Sequence, residues 1–189
     1  MKFFLVADTH FNHQNIATYC QRPANFTELI IKNWNLRVKP EDTVIHLGDV
    51  QIGKKSEWIM PNLPGRKILI RGNHDRSQSV SWWMEHGFDF ACDALMFRNC
   101  WLTHEPAQQL PWKTMEDSGM GINIHGHLHN IWHGFAPNAG DERDATEQKR
   151  LRNPWQRLFA IEYTNYCPIE FDEFVSKPEK YQAKGPKLE

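Results

Sequence analysis

The sequence predicts an α/β fold, two mixed sheets packed face to face and flanked by helices in a four-layer α/β/β/α sandwich. Three observations predict it. Short apolar runs of strand length recur along the chain and end in polar, chemically capable residues. Helix-like segments separate the first three of those runs. After Gly87 the spacing changes to short runs joined by tight turns, which suits a more antiparallel second sheet.

The strand candidates are Lys2–Ala7, Thr43–Leu47, Lys67–Ile70, Cys100–Thr103 and Ile122–Ile124. Their β-branched content and length favour buried strands over helices. Phe26–Val38 places Phe26, Leu29, Ile30, Trp34 and Val38 at helical spacing. Asn25 with Glu28 three residues on is a capping-box pattern at its start. Ser56–Asn62 is a shorter helix candidate, and Ser79–His86 is a third, closed by Gly87. Ala94–Phe97 and Cys100–Thr103 read as a hairpin across Arg98-Asn99. Arg157–Tyr163 is a further strand candidate, and the run from Pro168 to Val175 a terminal helix with proline at its start.

A chain of 189 residues accommodates one domain with a real core, here residues 1–176. Asn138–Pro154 has almost no apolar content and reads as a solvated helix or mobile insertion. The Lys-rich tail 177–189 reads as flexible. Lys+Arg number 22 against 23 Asp+Glu, so bulk charge advertises neither a nucleic-acid nor a membrane surface. The four cysteines form no C-x-x-C pair, which argues against a zinc ribbon and fits free thiols in a reducing compartment. The N-terminal apolar run stops at Asp8, too short for a signal sequence, and no stretch approaches a transmembrane span. A cytoplasmic protein is expected, with no membrane partner.

The informative residues are positional. Asp8, His10, Asp49, Asn73, His74, His104, His127 and His129 all lie just past the carboxyl ends of apolar runs. Ligand sites of open α/β sheets occupy that edge. The donors are oxygen and imidazole nitrogen without thiolate, a set suited to two divalent ions, with Mn expected and Fe, Ni or Zn as alternatives. Two carboxylates and a bridging hydroxide against two dications leave roughly one unit of positive charge. A cationic cluster suits an anionic substrate, and phosphate esters are the obvious class.

These motifs resemble the calcineurin-like metallophosphoesterase superfamily: D-x-H (Asp8, His10), G-D (Gly48, Asp49), G-N-H-D (Gly72–Asp75), a lone His104 after a strand, and G-H-x-H (Gly126–His129). The ending AIEYTNYCPIEF is similar to that of small bacterial and phage members. The resemblance implies that Asp8, His10 and His129 bind one metal and Asn73, His104 and His127 a second, with Asp49 bridging. It implies in-line attack by a hydroxide held between the metals. His74 would protonate the leaving oxygen, and Asp75 would orient His74. Gly126 would let the chain turn, so that His127 and His129 serve different metals while His125 stays outside the first coordination shell.

Asn12 and His13 are candidate substrate contacts. Arg76 could clamp a phosphate or form a surface salt bridge. His46 is read as a packed or hydrogen-bonded ring, and His86 as a helix-end residue. Trp112, Trp132 and Trp155 could stack on a nucleobase or pack under loops. At least one of Trp82 and Trp83 should be core.

The expected function is hydrolysis of a phosphodiester or phosphomonoester, with a diester or nucleotide substrate preferred. An Asp-Arg pair after G-D is absent, which weighs against the protein-phosphatase branch of the resemblance. The alternatives are a catalytically silent metal-binding interaction scaffold and a metal-dependent single-strand nuclease. The nuclease requires a basic track, for which Lys54-Lys55 and Lys149–Arg152 are the candidates.

Overall fold

The computed structural model describes residues 1–51, 56–111, 121–130 and 155–181. The insertion at 138–154, both candidate basic tracks, Trp112 and Trp132 therefore lie outside the described residues.

In chain order the elements are β1 (Phe3–Val6), α1 (Gln14–Tyr19), α2 (Phe26–Arg37), β2 (Thr43–His46), α3 (Ile59–Asn62), β3 (Arg66–Ile70), α4 (Val80–Glu85), β4 (Phe90–Cys92), β5 (Ala94–Phe97), β6 (Cys100–Thr103), β7 (Ile122–His125), β8 (Gln156–Leu158), β9 (Ile169–Glu170) and α5 (Phe171–Ser176). One sheet has the order β4-β3-β2-β1-β9, and the other β5-β6-β7-β8. The larger sheet is parallel except for β9. The smaller combines the antiparallel β5–β6 hairpin with parallel β6–β7 and β7–β8 pairs. This is the expected fold class, two mixed sheets with helices.

Strand alternation divides the core in two. Phe4, Val6, Val44 and Leu69 face α2, α3 and α4, where Ile30, Trp34, Met60 and Trp83 pack on them. Their neighbours Leu5, Ala7, Ile45, Leu47 and Ile70 face the other way and meet Cys100, Leu102 and Ile124 of the smaller sheet. Both faces of β1 and β2 are covered, which is why these strands read as unbroken apolar runs. Phe171 and Phe174 of α5 join the intersheet cluster.

Several expectations at element ends are corrected. Asn25 makes no capping hydrogen bond at α2. Ser79 does cap α4, accepting from the Trp82 N–H. The strand Gln156–Leu158 covers only the start of the expected Arg157–Tyr163 run, and Ile161–Thr164 is a 3₁₀ turn. Pro168 does not open a helix. Ile169–Glu170 pairs with β1 first, and the helix starts at Phe171. The first part of the expected tail carries a 3₁₀ turn, Pro178–Lys180, and Tyr181 stacks on Phe174. Trp83 is the core tryptophan of its pair, and Trp82 stacks on the His86 ring.

Parallel pairing brings the carboxyl ends of neighbouring strands to one edge. Val6 pairs with His46, and His46 with Leu69, so Asp8, Asp49 and Asn73 emerge together. Leu102 pairs with Ile124, which does the same for His104 and His127.

Candidate metal centre

The loops after β1 and β2 run together beyond the sheet. Asp8 N–H donates to Gly48 O at 2.9 Å and His10 N–H to Asp49 O at 3.1 Å. The two sheets join at this edge. His104 Nδ1 lies 2.7 Å from Leu47 O, and His127 N–H donates to both Asp8 carboxylate oxygens at 3.0–3.1 Å.

Asp8, His10, Asp49, His127 and His129 have φ of 52°, 43°, 56°, 72° and 49°. Left-handed backbone at a non-glycine residue costs about 1–2 kcal/mol. It points each side chain out of the strand direction and into a shared space. The ladder and loop hydrogen bonds hold these turns in place.

Two glycines of the motifs are present for close approach. A Cβ at Gly72 would collide with Asp49 Oδ1, and one at Gly126 would lie 2.5 Å from Asp8 Oδ2. This corrects the expectation for Gly126. The left-handed turn belongs to His127, and the glycine makes room for Asp8.

Two clusters result. Asp8, His10 and His129 bring ligand atoms within 4.8 Å of one another, and so do Asp49, His104 and His127. The alternating histidines of the G-H-x-H segment are thus divided between clusters. His125 is buried, with Nδ1 2.9 Å from Gly126 O, and belongs to neither. Asp49 Oδ2 stands between them, 3.6 Å from His10 Nε2 and 3.4 Å from His104 Nε2. Asn73 Oδ1 lies 3.1 Å from His104 Nε2, and His127 Nδ1 also lies 3.1 Å from it. His74 is 44% exposed, with Nε2 3.8 Å from the same Asp49 oxygen.

These residues fit divalent cations on their own chemistry. Both ring nitrogens of His10 are buried without a hydrogen-bond partner, an arrangement that costs free energy unless a ligand supplies a partner. Leu47 O can only accept, so His104 carries its proton on Nδ1 and turns Nε2 toward Asp49, Asn73 and His127. Burial would lower the His104 pKa, but the Asp49 hydrogen bond and the Asp8 and Asp49 charges outweigh it, raising it to about 9. Burial would raise Asp49, yet His104 and His10 hold it below the usual carboxylate range. Burial, aided by the neighbouring His129 charge, lowers His10 to about 2.

Asp75 is placed differently from the expectation that it orients His74. Its Oδ2 accepts from Asp49 N–H at 2.7 Å and Gly72 N–H at 2.8 Å, and its Oδ1 from Val50 N–H at 3.0 Å. It is a buried staple between the G-D and G-N-H-D loops, and burial pushes it up to about 6. Arg76 pairs with Glu105 at 3.1 Å on the surface. The Asn12 side chain is tied to Ser56 Oγ, whereas the half-buried His13 ring lies 5.7 Å from His10. His46 is hydrogen-bonded: Nδ1 accepts from Gly48 N–H, and Nε2 meets Thr9 Oγ1.

Arg22 and Glu162 join the site from outside every ligand motif of the sequence. Arg22 donates to the Asp8 and Thr9 carbonyls and to Glu162, beneath the first cluster. A charged residue inside the apolar stretch FAIEY was the available signal for Glu162. Arg22 left none.

The calcineurin-like phosphoesterase superfamily domain matches residues 1–154. The chain belongs to that superfamily. An uncharacterized protein of Methanocaldococcus jannaschii, MJ1445, is similar to this phosphoesterase-family chain at 33% identity, over 95% of this chain and 92% of its own length. The Gene 66 protein of Mycobacterium phage D29 is 29% identical over 67% of this chain and 78% of its own. The crystal structure of AQ665, a protein of unknown function from Aquifex aeolicus, superposes with a TM-score of 0.66 at 26% identity, covering 93% of this chain and 98% of that one. Membership supports a metal-dependent phosphoesterase in general, and the clusters supply candidate ligands for its ions. No described helix is long and apolar enough to cross a membrane.

Proposed function

We propose that this chain is a dinuclear-metal phosphoesterase that hydrolyses a small phosphodiester or nucleotide in preference to a monoester, with Mn²⁺ as the working ion. The observation that carries the reading is Asp49 Oδ2, an oxygen of the second cluster that also lies 3.6 Å from His10 Nε2 of the first. Asp8, His10 and His129 would hold one ion, Asn73, His104 and His127 the other, and Asp49 both. When bound, the pair supplies an activated water nucleophile near neutral pH and polarises the phosphoryl oxygen.

The remaining work falls to side chains of the chain. His74, exposed at the mouth beside Asp49, protonates the leaving oxygen. His74 N–H donates to Asp49 Oδ1 at 3.1 Å, which ties its position to the ligand set. Asp75 holds the two loops that carry Asp49 and His74. The unpartnered, buried His13 Nδ1 lies on the His10 side and contacts the substrate there. The diester preference rests on similarity to small superfamily members, and a cytoplasmic setting on the unpaired cysteines.

The test is turnover of paired monoester and diester reporters in Mn²⁺, Ni²⁺, Zn²⁺ and Mg²⁺, followed by cyclic nucleotides and dinucleotides. Faster diester turnover in Mn²⁺ is expected. Inactivity on every substrate with two ions bound would replace this reading by that of a binding scaffold.

A further inference from the structure

Behind the first cluster lies a buried ion pair. The Arg22 and Glu162 side chains are 0% and 5% exposed, with NH2 to Oε1 at 2.7 Å. Glu162 Oε1 also accepts from Arg22 Nε at 2.9 Å and lies 3.3 Å from His129 Nδ1. Burying two charges is costly unless both are tightly paired, so the pair is expected to serve the site it adjoins.

A proton count decides how His129 is held. Arg22 NH2 has two hydrogens. One is spent on Asp8 O at 2.7 Å and the other on Glu162 Oε1 at 2.7 Å. Although NH2 also lies 3.2 Å from His129 Nδ1, it has no third hydrogen to give. A carboxylate oxygen can only accept, so His129 Nδ1 is the donor to Glu162 Oε1, and the Cys20 thiol is a further, weaker partner of the ring. The Nε2 lone pair then faces Asp8 Oδ1, 3.7 Å away.

We infer that Glu162, clamped by Arg22, is a positioning residue of the first metal site: its carboxylate holds the Nδ1 proton of His129 and thereby presents Nε2 to the ion. This rests on the dinuclear reading above. Glu162 lies beyond the stretch matched by the family domain, on the Ile161–Thr164 turn after β8. Its partner His129 is thus supported from the C-terminal part of the chain.

The arrangement makes the two sites unequal. His104 of the second cluster leans on a neutral carbonyl, Leu47 O, whereas His129 of the first leans on a carboxylate. A carboxylate behind an imidazole raises its basicity as a ligand, and removing such partners typically weakens metal binding by about 10–100-fold. The first site therefore binds its ion more tightly than the second. Cys20, His129 and Glu162 also lie close enough to suggest another cation site. The Arg22 guanidinium fills that corner, so it serves as a buttress.

The test uses the full chain. E162Q removes the carboxylate charge but strands Arg22, so the charge-neutral double variant R22Q/E162Q is made beside it. Mn²⁺ is titrated calorimetrically into metal-free protein whose fold is checked by circular dichroism. Wild type should show two steps. In the double variant the tighter step should weaken by about 10–100-fold while the other is unchanged. Equal weakening of both steps, or none, overturns the inference. A wild type with fewer than two steps overturns the dinuclear reading instead. Nitrogen-resolved NMR of Zn²⁺-loaded wild type gives a check independent of any variant. His129 should be protonated on Nδ1, and protonation on Nε2 would rule the arrangement out.

Discussion

Asp49 and Asp75 are both buried aspartates, yet they spend their oxygens differently. Asp49 turns Oδ2 toward three imidazoles, whereas Asp75 gives both oxygens to backbone N–H groups. Asp49→Asn should therefore weaken both Mn²⁺ steps and abolish turnover while the chain still folds, as read by calorimetry and reporter hydrolysis. Asp75→Asn should instead lower stability by about 2–4 kcal/mol in urea unfolding, because an amide cannot satisfy three N–H donors. If Asp75→Asn kept wild-type stability and altered only the pH profile of turnover, an orienting role toward His74 would be restored. His74→Asn should retain both ions and lose most activity, most severely with poor leaving groups. His46 makes stability pH-dependent. Burial lowers its pKa to about 3, so the fold holds it neutral while the unfolded chain protonates near 6.5. Below that value the unfolded state binds the extra proton, and stability falls as pH drops from about 6.5 toward 3. A slope of up to ~1.4 kcal/mol per pH unit from this residue is expected in urea midpoints, and His46→Gln should remove it.

At the scale of elements, the turns carry the information. The β5–β6 hairpin turns through Arg98 and Asn99 at φ of 47° and 61°. Arg98 is kept there by Asp172 at 2.6 Å and by the faces of Phe3, Phe97 and Phe171. Asn99 has no such compensation among the hydrogen bonds described, so Asn99→Gly should raise stability by about 0.5–1 kcal/mol in thermal unfolding. Gly126→Ala should do the opposite at the site, pushing Asp8 away and weakening the first ion. The long apolar runs of β1, β2 and β3 were legible because both faces are buried. The three-residue β4 and two-residue β9 were not, since neither is long enough to show a period and their partners supply the order. The Arg157–Tyr163 run shows the converse. Phe159, Ala160 and Ile161 are buried, but Ile161–Thr164 is wound into a 3₁₀ turn that sets Glu162 beneath His129.

For the whole molecule, folding and ion binding are linked. Five left-handed ligand residues and an unpartnered His10 raise the free energy of the metal-free chain. Mn²⁺ at about one hundred times its dissociation constant should add ~2.7 kcal/mol per site, raising Tm by roughly 5–10 °C in a chain of this size, and chelator should reverse the shift. A Tm indifferent to Mn²⁺ would contradict the site. The sequence by itself determined the α/β class, the strands that meet at one edge, and the ordered donors from Asp8 to His129. These are properties of local pattern, since an apolar run followed by a polar donor is written in consecutive residues. Only the tertiary structure decided that Asp75 staples loops and that Arg22 and Glu162 stand behind His129. Those pairings join residues up to 140 positions apart. Their physical basis is burial, which makes a charge or proton depend on whichever partner the fold brings within hydrogen-bonding distance.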